Sequence, residues 1–182
     1  LHRGFVSKNN EIDRTIPELI FKQRFFDELS IDSVFVIAPD KYTVYANELP
    51  SWLIPSSKLP VDYFIEQAQE NGLNTLFLKD ALIDQNLLTY YKTDTHWNPY
   101  GSYIGYNATI DYINQLYGTA LRKVEALSFH LEEQKGGDLA NFMKYSHHIV
   151  DYEAVSNAEL GLIEKCYYDP SNYHLSNCKY GI

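Results

Sequence analysis

Residues 33–39 read Ser-Val-Phe-Val-Ile-Ala-Pro, a continuous apolar and β-branched run stopped by proline. A run of this kind suits a strand buried on both faces, as in a parallel sheet covered by helices. An amphipathic segment follows, with Val61, Phe64, Ile65 and Ala68 on one face of a helix expected over 61–71 and Gly72 at its stop. Asn74-Thr75-Leu76-Phe77-Leu78 then reads as a second short strand. Strand, helix and strand at these lengths fit a right-handed βαβ unit. The fold class expected is therefore α/β with a mostly parallel sheet, and 182 residues suit one domain.

The other elements are read by the same signals. Residues 1–13 are polar and are expected to be irregular. Thr15 and Glu18 have capping-box spacing, Pro17 falls in a first helical turn, and an amphipathic helix is expected over 16–29. Residues 51–60 are a Pro/Ser-rich connection, and residues 79–85 a short helix or turn. Asn98 is a good N-cap and Pro99 a good first helical residue for a helix ending at Tyr117 before Gly118. Ile104, Ala108, Tyr112 and Leu116 mark its apolar face, and Gly101 and Gly105 would let it approach the sheet closely. Residues 129–134 read as extended. In Gly136-Gly137-Asp138-Leu139 the glycines would supply unusual backbone angles and Asp138 an N-cap for a short helix over 139–144. Beyond Ile149 the pattern alternates weakly; a turn at Asp169-Pro170-Ser171-Asn172 suggests a β-hairpin over about 162–178.

The chemistry-bearing stretch is Lys92-Thr93-Asp94-Thr95-His96-Trp97-Asn98-Pro99-Tyr100-Gly101. Asp94 and His96 stand in a loop just before a helix. In an extended loop residues i and i+2 point the same way, so both side chains can serve one site. A carboxylate beside an imidazole fixes its tautomer and stabilises its protonated form. The plain alternative is that Asp94 caps a turn while His96 packs on Trp97. A lone Asp-x-His would favour that alternative, because so short a pattern often arises by chance.

The surroundings of the pair change this balance. The loop resembles the Asp-x-His-Trp motif of the SGNH-hydrolase-like domain of the alginate O-acetyltransferase (AlgX/AlgJ-like) family. The apolar strand followed by Pro39-Asp40-Lys41, Tyr45 and Leu49-Pro50 resembles a second element of that family, and Gly136-Gly137-Asp138-Leu139 a third. The three occur in the family's order. The resemblance implies an SGNH-like three-layer fold with its core at about 14–150, incomplete at both ends, and with 151–182 a hairpin-like segment leading onward. It also implies a Ser-His-Asp mechanism with His96 as base and Asp94 as its orienter. Lys41 would steady substrate or developing negative charge, and Tyr45, Trp97 and Tyr100 would contact substrate.

The family's serine lies in an Asp-Ser-Phe-like turn after a later strand. Ser102, Ser128, Ser146, Ser156, Ser171 and Ser176 all lack that context. The expectation is a chain truncated before its nucleophile and inactive alone. The partners implied are an exported polysaccharide and an acetyl donor, such as a membrane acyltransferase or carrier protein, in the periplasm or another extracytoplasmic space. Transfer to a sugar and hydrolysis to water are both open. The competing class is a non-catalytic carbohydrate-binding module whose platform is Tyr42, Tyr45, Trp97 and Tyr100.

Other classes are disfavoured by composition. Net charge is −9, which argues against nucleic acid and anionic membranes. No run of about 18 apolar residues suggests a membrane span. The 16 tyrosines are compatible with sugar binding, although core packing accounts for many of them. His96, His130, His147 and His148 lack a strong metal-ligand spacing, so neither metal nor cofactor is expected. Cys166 and Cys178 are open to both disulfide pairing and free thiols.

Overall fold

A computed structural model describes residues 9–53, 59–157, 167–169 and 174–176. The chain runs α1 (Asn9–Glu28), β1 (Phe35–Ile37), α2 (Lys41–Val44), a 3-10 turn (Ala46–Glu48), α3 (Pro60–Glu70), β2 (Thr75–Phe77), α4 (Lys79–Leu82) and α5 (Pro99–Tyr117). It continues through β3 (Phe129–Lys135), α6 (Asp138–Phe142), β4 (Val150–Ser156), β5 (Tyr167–Asp169) and β6 (His174–Ser176).

β1 and β2 pair in parallel, Val36 opposite Leu76, with α3 as the crossover. The two faces of this pair feed different cores. Phe35 packs against Ile16, Ala68 and Leu73, where α1 meets α3. Leu76 packs against the cluster of Val44, Leu78, Leu82 and Tyr90, which α5 joins through Ile104 and Ala108. Helices thus cover both faces, as the alternation of side chains along a strand requires. The expectation of a strand buried on both faces holds incompletely: Val36 is 42% exposed. Its apolar type reflects β propensity more than enclosure.

α1 begins at Asn9, so residues 9–13 are helical and the capping box at Thr15 is overturned. The Thr15 hydroxyl instead donates back to the Glu11 carbonyl at 2.8 Å, a bond made from inside a helix. Pro17 lies within α1. α5 has the expected limits. Asn98 Oδ1 accepts from Gly101 N at 2.9 Å, and Gly118 adopts φ 65°. Gly101 serves a close approach to the loop before α5, and Gly105 faces both that loop and Leu78 at the end of the sheet, where a Cβ would meet Leu78 Cδ1 at 3.4 Å. A Cβ on Gly101 would meet the Thr89 carbonyl oxygen at 2.1 Å, and one on Gly105 the Trp97 ring at 3.1 Å.

β3 and β4 pair antiparallel across the intervening α6, and α5 packs against β4. β5 and β6 pair antiparallel within the expected 162–178 hairpin; its turn at 170–173 and both cysteines lie outside the described residues. So do residues 54–58 of the Pro/Ser-rich connection.

Candidate active site

The site is assembled at the C-terminal end of the parallel strands, where open α/β folds bind ligands. β1 ends at Pro39, whose carbonyl accepts from the Tyr90 hydroxyl. Burial there pushes the Tyr90 phenol up to about 12. Asp40 caps α2 by accepting from Thr43 N at 2.7 Å, which fixes Lys41, Tyr42 and Tyr45 beside the loop.

The loop from Thr89 to Asn98 is pinched into a narrow arch. Tyr90 pairs with Trp97, Tyr91 N donates to His96 O at 3.2 Å, and Asn98 N to Thr89 O at 3.0 Å. Lys41 props it from below. Its Nζ donates to the carbonyls of Tyr91 (2.7 Å), Lys92 (2.7 Å) and Asp94 (3.1 Å), which occupies the three donors of an ammonium. Desolvation lowers the Lys41 pKa, against the opposing pull of Asp151, Asp94 and Asp138.

β4 holds the other side. Asp151, 1% exposed, accepts from Lys92 N at 3.0 Å, Thr93 N at 2.6 Å, Tyr152 N at 2.8 Å and the Thr93 hydroxyl. Burial raises its carboxyl pKa, but the Thr93 hydroxyl and the backbone donors outweigh this and leave it below 3.8. Thr93 Oγ1 in turn accepts from Gly137 N at 2.9 Å, and its carbonyl accepts from Leu139 N at 3.0 Å. One buried carboxylate therefore ties β4, the arch and the Gly136-Gly137-Asp138 turn together.

Within this frame Asp94 and His96 meet. Asp94 Oδ1 accepts from His96 N at 2.9 Å and lies 2.6 Å from His96 Nδ1, while Oδ2 accepts from Asp138 N at 2.8 Å. An ionised carboxylate can only accept, so the geometry assigns the ring proton to Nδ1. Nε2 is left as the acceptor, on a side chain that is 75% exposed. Burial raises the Asp94 pKa, but the N–H groups of Asp138 and His96 and the His96 ring together hold it below 3.8. The hydrogen bond and charge of Asp94 raise His96 above 6.5. This is an oriented imidazole with an open nitrogen, the arrangement of a general base.

Asp138 departs from its expected part. Gly137 occupies the N-cap of α6, and the Asp138 carboxylate accepts from Thr95 N at 2.9 Å and from the Thr95 hydroxyl. Its Oδ2 lies 3.9 Å from His96 Nδ1. Gly136 and Gly137 do not supply unusual angles either, since neither has positive φ. They supply room: a Cβ on Gly136 would stand 2.7 Å from Ala140 Cβ, and one on Gly137 2.5 Å from Asp94.

The expected contact residues separate into two groups. Lys41, Tyr42 and Tyr45 line a pocket of about 270 Å³ together with Asp40, Glu48, Leu49, Thr95 and Leu139. The Tyr45 hydroxyl is engaged with Thr89, accepting from its N–H at 2.8 Å and lying 3.0 Å from its hydroxyl. Trp97 and Tyr100 belong elsewhere. Trp97 packs on Gly105 and the core cluster around Leu78. Tyr100 donates to Gln85 at 3.2 Å and packs edge-on against Phe129 at 5.1 Å. A single platform of Tyr42, Tyr45, Trp97 and Tyr100 is therefore not formed, because α5 draws the last two inward.

Asp94, His96 and Asp138 each bring one ligand-type atom within 4.8 Å of the others. Their oxygens already face N–H and O–H donors, which is hydrogen-bonding and not cation-holding chemistry. Among the described residues no serine hydroxyl bonds His96; the nearby hydroxyl is Thr95 Oγ1, 3.5 Å from Nδ1. Sequence reasoning missed Asp151, which sits in no recognisable motif, and gave Thr93 no task although it stands inside the Lys92–Gly101 stretch.

A family model described as "SGNH hydrolase-like domain, acetyltransferase AlgX" matches residues 5–159. The chain belongs to this family. The fold of the AlgX-type domain is shared with two solved structures. Bacillus cereus PatB1 is 23% identical with TM-score 0.61, over 74% of this chain and 47% of that one. The O-acetyltransferase domain of Pseudomonas putida AlgJ is 20% identical with TM-score 0.53, over 81% of this chain and 53% of that one. The chain thus spans about half the length of these solved chains. No curated protein matches it. Among the described residues of this AlgX-type domain, no helix is long and apolar enough to cross a membrane.

Proposed function

We propose that this AlgX-type domain carries the base and orienter of a Ser-His-Asp acetyl-transfer site acting on polysaccharide. The observation supporting this most is the 2.6 Å contact of Asp94 Oδ1 with His96 Nδ1, which leaves Nε2 open to solvent. The nucleophilic serine comes from polypeptide outside the described residues. His96 Nε2 takes its proton as Oγ attacks the carbonyl of an acetyl donor. The tetrahedral intermediate collapses when the imidazolium gives that proton to the leaving group, and an acetyl-serine results. A sugar hydroxyl then loses its proton to Nε2 and attacks the acetyl carbon; the bond from that carbon to Oγ breaks, and the imidazolium returns the proton to Oγ, restoring the serine. Water in place of the sugar gives an esterase. Asp94 keeps the ring in the right tautomer and supports its positive charge between the two steps.

Lys41 acts in this reading through the arch it props and not by touching substrate. The acetyl donor is a membrane acyltransferase or a carrier protein, and the working compartment is the periplasm or its equivalent. The test uses the product of the complete gene with p-nitrophenyl acetate and a fluorophosphonate serine probe. His96→Ala is expected to lower kcat/KM by at least about 100-fold and to slow labelling of one serine. A His96→Ala variant that folds normally with unchanged hydrolysis and labelling would overturn the reading of His96 as base, whereas an unmodified protein with neither hydrolysis nor a labelled serine would leave a non-catalytic carbohydrate-binding module.

A further inference from the structure

The pocket beside the dyad has a chemical character of its own. Its walls are mainly apolar, from Tyr42, Tyr45, Leu49 and Leu139, and it shares Thr95 with the arch that carries His96. At about 270 Å³ it lies just below the roughly 300–1,000 Å³ of sites for drug-sized ligands, which suits a single ring. Among the described residues three charged ones line it: Asp40, Glu48 and Lys41. The lysine ammonium is turned to the carbonyls of Tyr91, Lys92 and Asp94, so its donors are occupied. The carboxylates of Asp94 and Asp138 stand beside the same arch.

We infer that this pocket is an acceptor subsite for an uncharged sugar residue and that it discriminates against uronates. The inference rests on the acetyl-transfer reading and adds the substrate class. An uncharged pyranose offers C–H faces to the tyrosine rings, whose faces carry partial negative charge. Its hydroxyls donate to Asp40 and Glu48, which are acceptors. Among the described residues a uronate carboxylate would be desolvated against two carboxylates, while the donors of the one lining ammonium, Lys41, are committed to backbone carbonyls, and like-charge juxtaposition disfavours binding. The overall charge of −9 acts in the same direction at longer range.

The test uses the complete gene product with two matched oligosaccharides, one of neutral hexose and one of uronic acid. Binding is read by saturation-transfer NMR, and acetyl transfer from p-nitrophenyl acetate by mass spectrometry. The neutral oligomer is expected to be acetylated with at least about tenfold higher kcat/KM at low salt. Glu48→Gln is expected to narrow that gap, and Tyr42→Ala to raise the KM for the neutral acceptor. Equal or better use of the uronate would overturn the inference. So would ester hydrolysis that depends on His96 with no binding of the neutral oligomer; the dyad reading would then survive alone. Loss of the dyad reading itself shows in ester hydrolysis indifferent to His96, whereas the binding spectrum judges the subsite separately.

Discussion

A Cβ on residue 137 would stand 2.5 Å from Oδ2 of Asp94, closer than side-chain carbons ever come. Gly137 has φ −76° and ψ −155°, a backbone any residue adopts, so the constraint is contact and not conformation. Gly137→Ala is therefore expected to displace Asp94 and to weaken its hold on His96. The stability cost should be about 1–3 kcal/mol, in the range of overpacking. The ester-hydrolysis kcat should fall at least about tenfold, because the lost element is orientation of the base. Paired thermal melts and kinetics check this; a fully active variant would show that Asp94 tolerates displacement.

Asp151 holds the arch that carries the same pair, and the proposed mechanism makes it a positioning residue. Asp151→Asn replaces one acceptor oxygen by a donor facing Lys92 N, Thr93 N, Tyr152 N or the Thr93 hydroxyl. Loss of charge-assisted bonds at a buried site should cost about 3 kcal/mol in urea unfolding. In the folded variant kcat should fall while KM for a small ester changes little, and the pH limb of His96 should move.

The pH dependence follows from the two shifts. In the proposed mechanism His96 is a base only when neutral, and Asp94 raises its pKa above 6.5. Activity should therefore rise with pH through a limb placed above 6.5, and Asp94→Asn should move that limb down while lowering the plateau. The stability signs are opposite for the partners. The raised His96 contributes fully below 6.5 and loses its contribution as pH rises through its folded pKa. The lowered Asp94 contributes above 3.8 and loses its contribution as pH falls through its folded pKa. Denaturation midpoints across this range should show a maximum between 3.8 and 6.5 that Asp94→Asn flattens.

Two glycines of α5 should differ sharply. Gly101→Ala drives a Cβ to 2.1 Å from the backbone oxygen of Thr89, which cannot yield without breaking the arch. Gly105→Ala meets the Trp97 ring at 3.1 Å, which a small side-chain shift relieves. The first should fail to fold or melt at least about 3 kcal/mol less stable, beyond ordinary overpacking; the second should cost about 1 kcal/mol or less. Melting curves of the two variants decide this.

Local signals were readable in the sequence where they were strong and contiguous. Asn98-Pro99 and Gly118 bound α5 because cap, first-turn proline and left-handed stop are each local. The Asp94/His96 pairing was readable because i and i+2 face one way. Thr15 misled because a hydroxyl that caps a helix also bonds back within one, and only the upstream turn decides. Asp151 was illegible, and so were the bonds that Lys41 and Thr93 make, for a different reason. Their partners lie some 44–59 residues away in sequence, and no residue type announces such a bond. The resemblance placed Trp97 and Tyr100 at substrate, whereas Trp97 packs on Gly105 and Tyr100 against Phe129.

The central claim is that Asp94 holds His96 with its proton on Nδ1 and Nε2 open. ¹⁵N NMR of the imidazole in the complete gene product tests it directly. The account predicts a ring whose neutral form carries the Nδ1 proton, titrating above 6.5, and a lower pKa in Asp94→Asn. An Nε2-protonated neutral ring with the same pKa in both proteins would contradict it.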